Sequence, residues 1–353
     1  MKLCTPYLIQ RNKRLARYRY DRKQKLLGRK RKAQFCGYVR LGKVVVAPGR
    51  FNIDRPEAAE VVKFLQAVSI SVLKLRKPVK LNFRDTRSLY VSGAVLLYAE
   101  LDRIIKLSDL PKPVTIIEPR QRRPREVLKQ IGIHQLTGDK SDIVPAREDV
   151  VFWKATKGST QSGDALGPIL EFVTERANRD HVEQVEISGV WRGISEAVAN
   201  TVEHAYEKPR GDGFFGLKDT KWWMFTQIRD QFFTAAVCDL GCGYRKTIDL
   251  NIPESFRAAW LKIMAGKNRD ATAIQIAMEY GRSGTRLTHR GKGSRDALAV
   301  LERHGKGILT ILSNTGWVNF EYSDGALVRN ESGKLGIDIG GTIIWWRLPL
   351  MDS

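Results

Sequence analysis

The chain has 353 residues, 42% of them hydrophobic, and carries 60 Lys or Arg against 38 Asp or Glu, a formal net charge of +22. That length supports two ordinary hydrophobic cores. No apolar run approaches the roughly eighteen residues needed to cross a bilayer, and the N-terminus is too basic and too broken for a secretory signal, so a cytoplasmic protein with no membrane partner is expected. The first element is an extension, residues 1–35. Its first 32 residues hold thirteen Lys or Arg and one acid, Asp21, a net +12. Bases interleaved with tyrosines suit a nucleic-acid arm, because phosphate neutralisation needs no particular sequence and tyrosines stack on bases. The same composition suits a helix docking on an acidic protein, or a solvated tail with no target. The cysteines, Cys4, Cys36, Cys238 and Cys242, form no second close pair. Free thiols in a reducing compartment are therefore expected, rather than a structural zinc site.

Residues 36–136 read as a compact α/β unit. Strands are predicted at Lys43–Ala47, Val79–Phe83 and Pro113–Ile117. Helices are predicted from Arg55-Pro56 to about Leu75, from Ser92-Gly93 to about Lys106, and over Arg123–Ile131. Proline suits the first turn of a helix, serine is an ordinary N-cap, and strands alternating with helices imply a parallel or mixed sheet. Residues 137–150 are polar, contain Gly and Pro and lack periodicity, so they read as a linker.

Residues 151–353 follow as a second domain. From Ile194 to Tyr206, Ile194, Ala197, Val198, Thr201, Val202 and Ala205 fall on one helical stripe suited to a core. Glu196, Asn200 and His204, spaced four apart, form a second stripe of carboxylate, amide and imidazole, suited to Mg²⁺ and to proton transfer. Any amphipathic helix shows such residues to solvent, so the spacing alone does not decide. Trp222–Arg229 and Phe232–Asp239 read as antiparallel strands, the second running into an Asp-x-Gly-x-Gly turn at Asp239, Gly241 and Gly243. A carboxylate fixed at a strand end can accept from an exocyclic amine, and the glycines let backbone approach a ligand. Residues 244–288 are long and partly helical, at Pro253–Met264 and Ala271–Tyr280, then glycine-rich. Gly291, Lys292 and Gly293 precede a helical run from Asp296 to His304, and glycines opening a helix leave N–H groups where phosphate can sit. The chain closes on Gly341-Thr342 and a strand.

The order and spacing of these motifs resemble the GHKL ATPases, the superfamily of gyrase, histidine kinases and bacterial anti-sigma-factor serine kinases. Glu196, Asn200 and His204 match its N box, Asp239, Gly241 and Gly243 its first glycine box, Gly291 and Gly293 its second, and Gly341-Thr342 its last. The pattern Glu-Ala-x-x-Asn-x-x-x-His-Ala-Tyr is most similar to the anti-sigma kinase branch. The second box departs from the family, with His289 in place of its leading glycine and Ser294 where the family has an apolar residue. Residues 36–136 resemble the STAS domain of anti-sigma-factor antagonists, on Val79–Asp85, Ser92-Gly93-Ala94 and Val127–His134. Ser92 matches that family's phosphorylated serine, although Tyr90-Val91 replace its usual Asp-Ser.

The resemblance implies an α/β and α+β two-domain protein: a STAS-like domain followed by a Bergerat-type sandwich with helices on one face of a mixed sheet and a lid at about 244–288. It implies ATP and Mg²⁺ as ligands. Asn200 would hold the metal, Glu196 would be the general base, and Asp239 with Thr342 would bind adenine. Gly241 and Gly243 would shape the base pocket, Gly291 and Gly293 would cradle phosphate, and Lys292 would neutralise charge. Arg282, Arg286, Arg290 and Arg295 are each candidates for a lid contact to phosphate, set against the ordinary reading that arginines in such loops face water. Two functions follow: an ATP-binding switch on a regulatory partner protein, acting by serine phosphorylation with Ser92 a candidate acceptor, or a nucleic-acid-associated ATPase whose clamp uses the basic arm. A homodimer is compatible with either, since ATP-dependent dimerisation is common in the superfamily.

Overall fold

The computed structural model describes residues 43–53, 57–147, 153–159, 184–214, 221–229, 232–251, 257, 260–261, 264–266, 268–282 and 293–349. The basic extension and the site positions Arg286, Arg290, Gly291 and Lys292 lie outside these residues, as does most of the helix expected at Pro253–Met264.

From Lys43 the chain forms one compact unit. It begins with β1 (Lys43–Val46) and β2 (Arg50–Phe51), then α1 (Ala58–Ser69), which loosens into a π turn over Ile70–Lys74. β3 (Val79–Asn82), β4 (Ser88–Leu89), α2 (Val91–Leu107), β5 (Val114–Ile117), α3 (Arg122–Gln130) and α4 (Ile133–Thr137) follow. β1, β3 and β5 make a parallel sheet with β3 central, and β2 pairs with β4. The three strands and three helices expected here are all present, and the β2–β4 pair is additional. Residues 139–141 of the expected linker are tied to the sheet edge: Asp139 accepts from the Ile116 amide at 2.7 Å, and the Ser141 hydroxyl donates to Glu118 at 2.7 Å.

The second half opens with β6 (Trp153–Gly158) and α5 (Gln184–Asn200), which passes directly into a π turn over Thr201–Ala205. β7 (Trp222–Arg229), β8 (Phe232–Asp239), α6 (Tyr244–Asn251), α7 (Arg269–Arg282) and α8 (Gly293–His304) come next. β9 (Gly307–Ser313), β10 (Gly316–Ser323), β11 (Ala326–Lys334) and β12 (Thr342–Pro349) complete it. Seven strands form one sheet in the order β11-β10-β9-β12-β8-β7-β6. Every neighbouring pair in it is antiparallel, which corrects the expected mixed sheet. The protein is of mixed α/β class, and this half is α+β in character.

The run Trp222-Trp223-Met224-Phe225 shows why the sheet needs cover on both sides. Successive strand residues point to opposite faces, and all four are buried. Trp222 and Met224 pack with Ile194, Val198, Leu298 and Leu301 of α5 and α8. Trp223 and Phe225 join the other cluster, which contains the core of residues 45–133. Helices were expected on one face only. The second face is occupied too, by α2, whose Tyr98 ring meets Phe225 edge-on at 5.7 Å. Full burial of each such side chain stabilises the fold by about 1.5–3 kcal/mol, so the first half of the chain is an integral layer on the sheet.

Candidate functional site

Asp239 ends β8 and stands opposite Thr342 on β12. Its Oδ1 accepts from the Gly241 amide at 2.9 Å, and both the amide and the hydroxyl of Thr342 donate to the carboxylate. Ser313 extends the chain of contacts: its Oγ lies 3.3 Å from the Thr342 hydroxyl and accepts from the Tyr244 amide at 3.0 Å. Burial pushes the Asp239 carboxyl up to about 6, against the pull of these hydrogen bonds and of the nearby Arg210 charge. A carboxylate has about four lone-pair sites, so beside these three donors Asp239 can accept one further N–H.

The helical run expected to carry the polar stripe meets the turn after Asp239 through its C-terminal end. Ile194, Ala197, Val198, Thr201 and Ala205 are buried as the spacing predicts, with Val202 half-buried. Beyond Thr201 the π turn widens the helix and presents the Ala205 carbonyl to the turn after β8, where the Cys242 amide donates to it at 2.7 Å. A side chain on Gly241 would come within 2.2 Å of that same carbonyl. Gly241 is thus required by contact between two backbones. Gly243 has φ +81 and is packed against Asn314, and Gly341 has φ +155 and lies against the Asp239 carbonyl. Both values favour glycine.

Glu196 and Asn200 are half-buried on α5. His204 sits in the π turn, so continuous four-residue spacing no longer holds between it and Asn200, and its Nδ1 contacts Glu207 at 3.1 Å. Gly293 opens α8 as expected, and α8 packs against α5. The second helix of the expected lid is firmly seated. Asp270 accepts from Arg245 at 2.7 Å and from the Thr315 amide at 3.1 Å, while Ile274 and Met278 are buried.

Ser92 stands apart from these residues. The N-cap position of α2 is Tyr90, and Ser92 lies inside the helix with no exposed surface, its hydroxyl 3.5 Å from Asn52 Oδ1. The expected N-cap serine is thereby corrected: Gly93 lets the helix start press on the Phe51 carbonyl, which a side chain there would meet at 2.3 Å.

A buried ionic network behind the Asp239 turn was not anticipated. Arg210 donates to Glu100 of α2 and to the Ile339 carbonyl, the latter at 3.3 Å, and lies against Gly340. Arg103 pairs with Asp212 at 2.6 Å and with Glu100 at 3.7 Å. The Tyr206 hydroxyl donates to the Lys221 carbonyl and accepts from the Leu240 amide. The available signal was Glu100, Asp102 and Arg103 in an otherwise apolar helix, because charges in a helix buried on most sides need partners. Cys238 and Cys242 are buried free thiols. Among the described residues there is no cluster of three or more His, Cys, Asp or Glu suited to a metal, and no helix long and apolar enough to cross a membrane.

No protein-family model, curated protein or solved structure matches this chain.

Proposed function

We propose that residues 153–349 bind Mg-ATP in the manner of the GHKL ATPases and that the protein is an ATP-dependent switch acting on a partner protein, by phosphorylation of a serine. The observation that supports this reading is the meeting of the end of the α5 helical run, the Asp239–Gly243 turn and Thr342, which gathers a buried carboxylate and the helix that carries the half-buried Glu196 and Asn200. Asp239 takes the amino group, and Thr342 orients the carboxylate. Glu196 accepts the proton of the attacking hydroxyl. Asn200 would hold Mg²⁺ through Oδ1, and the ion would neutralise phosphate charge. The burial of Ser92 favours an acceptor on another protein, because a kinase would reach this hydroxyl only after the start of α2 opened.

The net charge of +22 supports a second reading, in which the partner is nucleic acid. The two separate on the fate of the γ-phosphate. Full-length protein with γ-labelled ATP and candidate partner proteins is expected to label a serine of the partner, and Glu196→Ala to abolish labelling while ATP still binds. Release of free phosphate stimulated by nucleic acid, with no labelled protein, would replace the kinase reading with the clamp.

A further inference from the structure

α2 covers the sheet over β7 and β8. Towards β9 and β10 the same face runs into a cavity of about 230 Å³, on the side of the sheet opposite α5 and α8. The strand register shows what lines it. Trp345, Thr310 and Asn319 stand side by side across β12, β9 and β10, and Arg347 and Ile308 form the next row. Trp317 closes one end, and Ile53 reaches in from the first half of the chain.

The Trp345 indole N–H is buried and has no hydrogen-bond partner, a state that is costly when nothing compensates it. Thr310 donates its hydroxyl to Asn319 Oδ1 at 2.8 Å, which occupies the amide oxygen. Arg347 is exposed and its guanidinium is held over the Phe232 ring at 3.9 Å. Among the described residues no carboxylate pairs with it. A stacked guanidinium keeps its N–H edges free for a planar anion. The cavity thus combines two tryptophans, an unsatisfied donor and a stacked cation in about 230 Å³ that is partly open to solvent.

We propose that this cavity is a binding site for a flat aromatic anion of one or two rings, distinct from the nucleotide site. The ring lies against Trp317 and Trp345, an acceptor takes the Trp345 N–H, and the anionic group pairs with Arg347. The proposal does not depend on ATP binding.

The test uses the full chain and two probes of equal shape, naphthalene-2-carboxylate and the neutral 2-naphthamide, followed by calorimetry and ligand-observed NMR. The expected result is saturable one-to-one binding with the carboxylate tighter. Arg347→Gln, at an exposed position, should weaken the carboxylate about tenfold and leave the amide unchanged. Trp345→Phe, which removes the N–H and keeps most of the ring, should weaken both probes about fivefold, with an unchanged melting temperature confirming its fold. Absence of saturable binding up to about 10 mM, or equal binding by all three proteins, would show a crevice that only water fills and overturn the proposal.

Discussion

The buried carboxyl of Asp239 is raised to about 6, and in the proposed site it is the acceptor for adenine. Its ionised form accepts from an amine better than its protonated form, so adenine-nucleotide affinity should rise as pH passes upward through about 6. Asp239→Asn should remove that pH step and weaken ATP by about 10- to 100-fold, the range for a hydrogen bond to a charged group; titrations at several pH values check both effects. For stability the sign is opposite. The folded carboxyl keeps its proton to higher pH than an unfolded one, so it favours the native state below about pH 4. That contribution is lost as pH rises through about 6. Gly241 makes a separate prediction. Its added Cβ would stand 2.2 Å from the Ala205 carbonyl, so Gly241→Ala should cost about 1–3 kcal/mol and appear in thermal melts even without nucleotide.

At the scale of elements, α2 connects the two halves through buried charge. Asp102 accepts from Lys157 at 2.8 Å and from the Trp223 indole at 3.2 Å, and Glu100 holds Arg210 beside the last glycine pair. Glu100→Ala would leave Arg210 buried without its main partner, which costs about 3–5 kcal/mol and lowers the melting temperature on the order of 10 °C. Asp85→Ala, which breaks an exposed pair with Arg120, should cost less than about 1 kcal/mol. Burial opposes the charge of Asp102, but its lysine partners win and hold it below the usual carboxylate range. Its stabilising contribution is present above about pH 4 and lost on further acidification. The sequence showed clearly the strands β7 and β8, the buried stripe of α5 and the helices of the first half, because each has strong periodicity or a sharp turn signal. The π turn at Thr201–Ala205 left no such mark, since it changes the helix phase without changing composition. The network around Arg210 was hidden because its members lie 110 residues apart along the chain. The burial of Ser92 inside α2 was hidden for a related reason: Phe51, which covers the start of α2, is distant in sequence.

Across the whole molecule, the sheet is the shared wall of two cores, and neither side is complete without the helices laid on it. Residues 151–353 alone would expose Trp223, Phe225 and Trp345 in one patch, which marks a surface made to be covered. That fragment should bind a hydrophobic dye and lose its cooperative melt, whereas residues 43–353 should unfold in one transition; a cooperative melt of the short fragment would show that the α2 layer is dispensable. The reading of the nucleotide site rests on adenine recognition by Asp239. Calorimetric titration of the full chain with Mg-ATP and with Mg-GTP, well above pH 6 and alongside Asp239→Asn, addresses it directly. One-to-one ATP binding, a clear preference over GTP, and loss of that preference in the variant are predicted. No saturable ATP binding, or equal affinity for the two nucleotides in the wild-type protein, would contradict it.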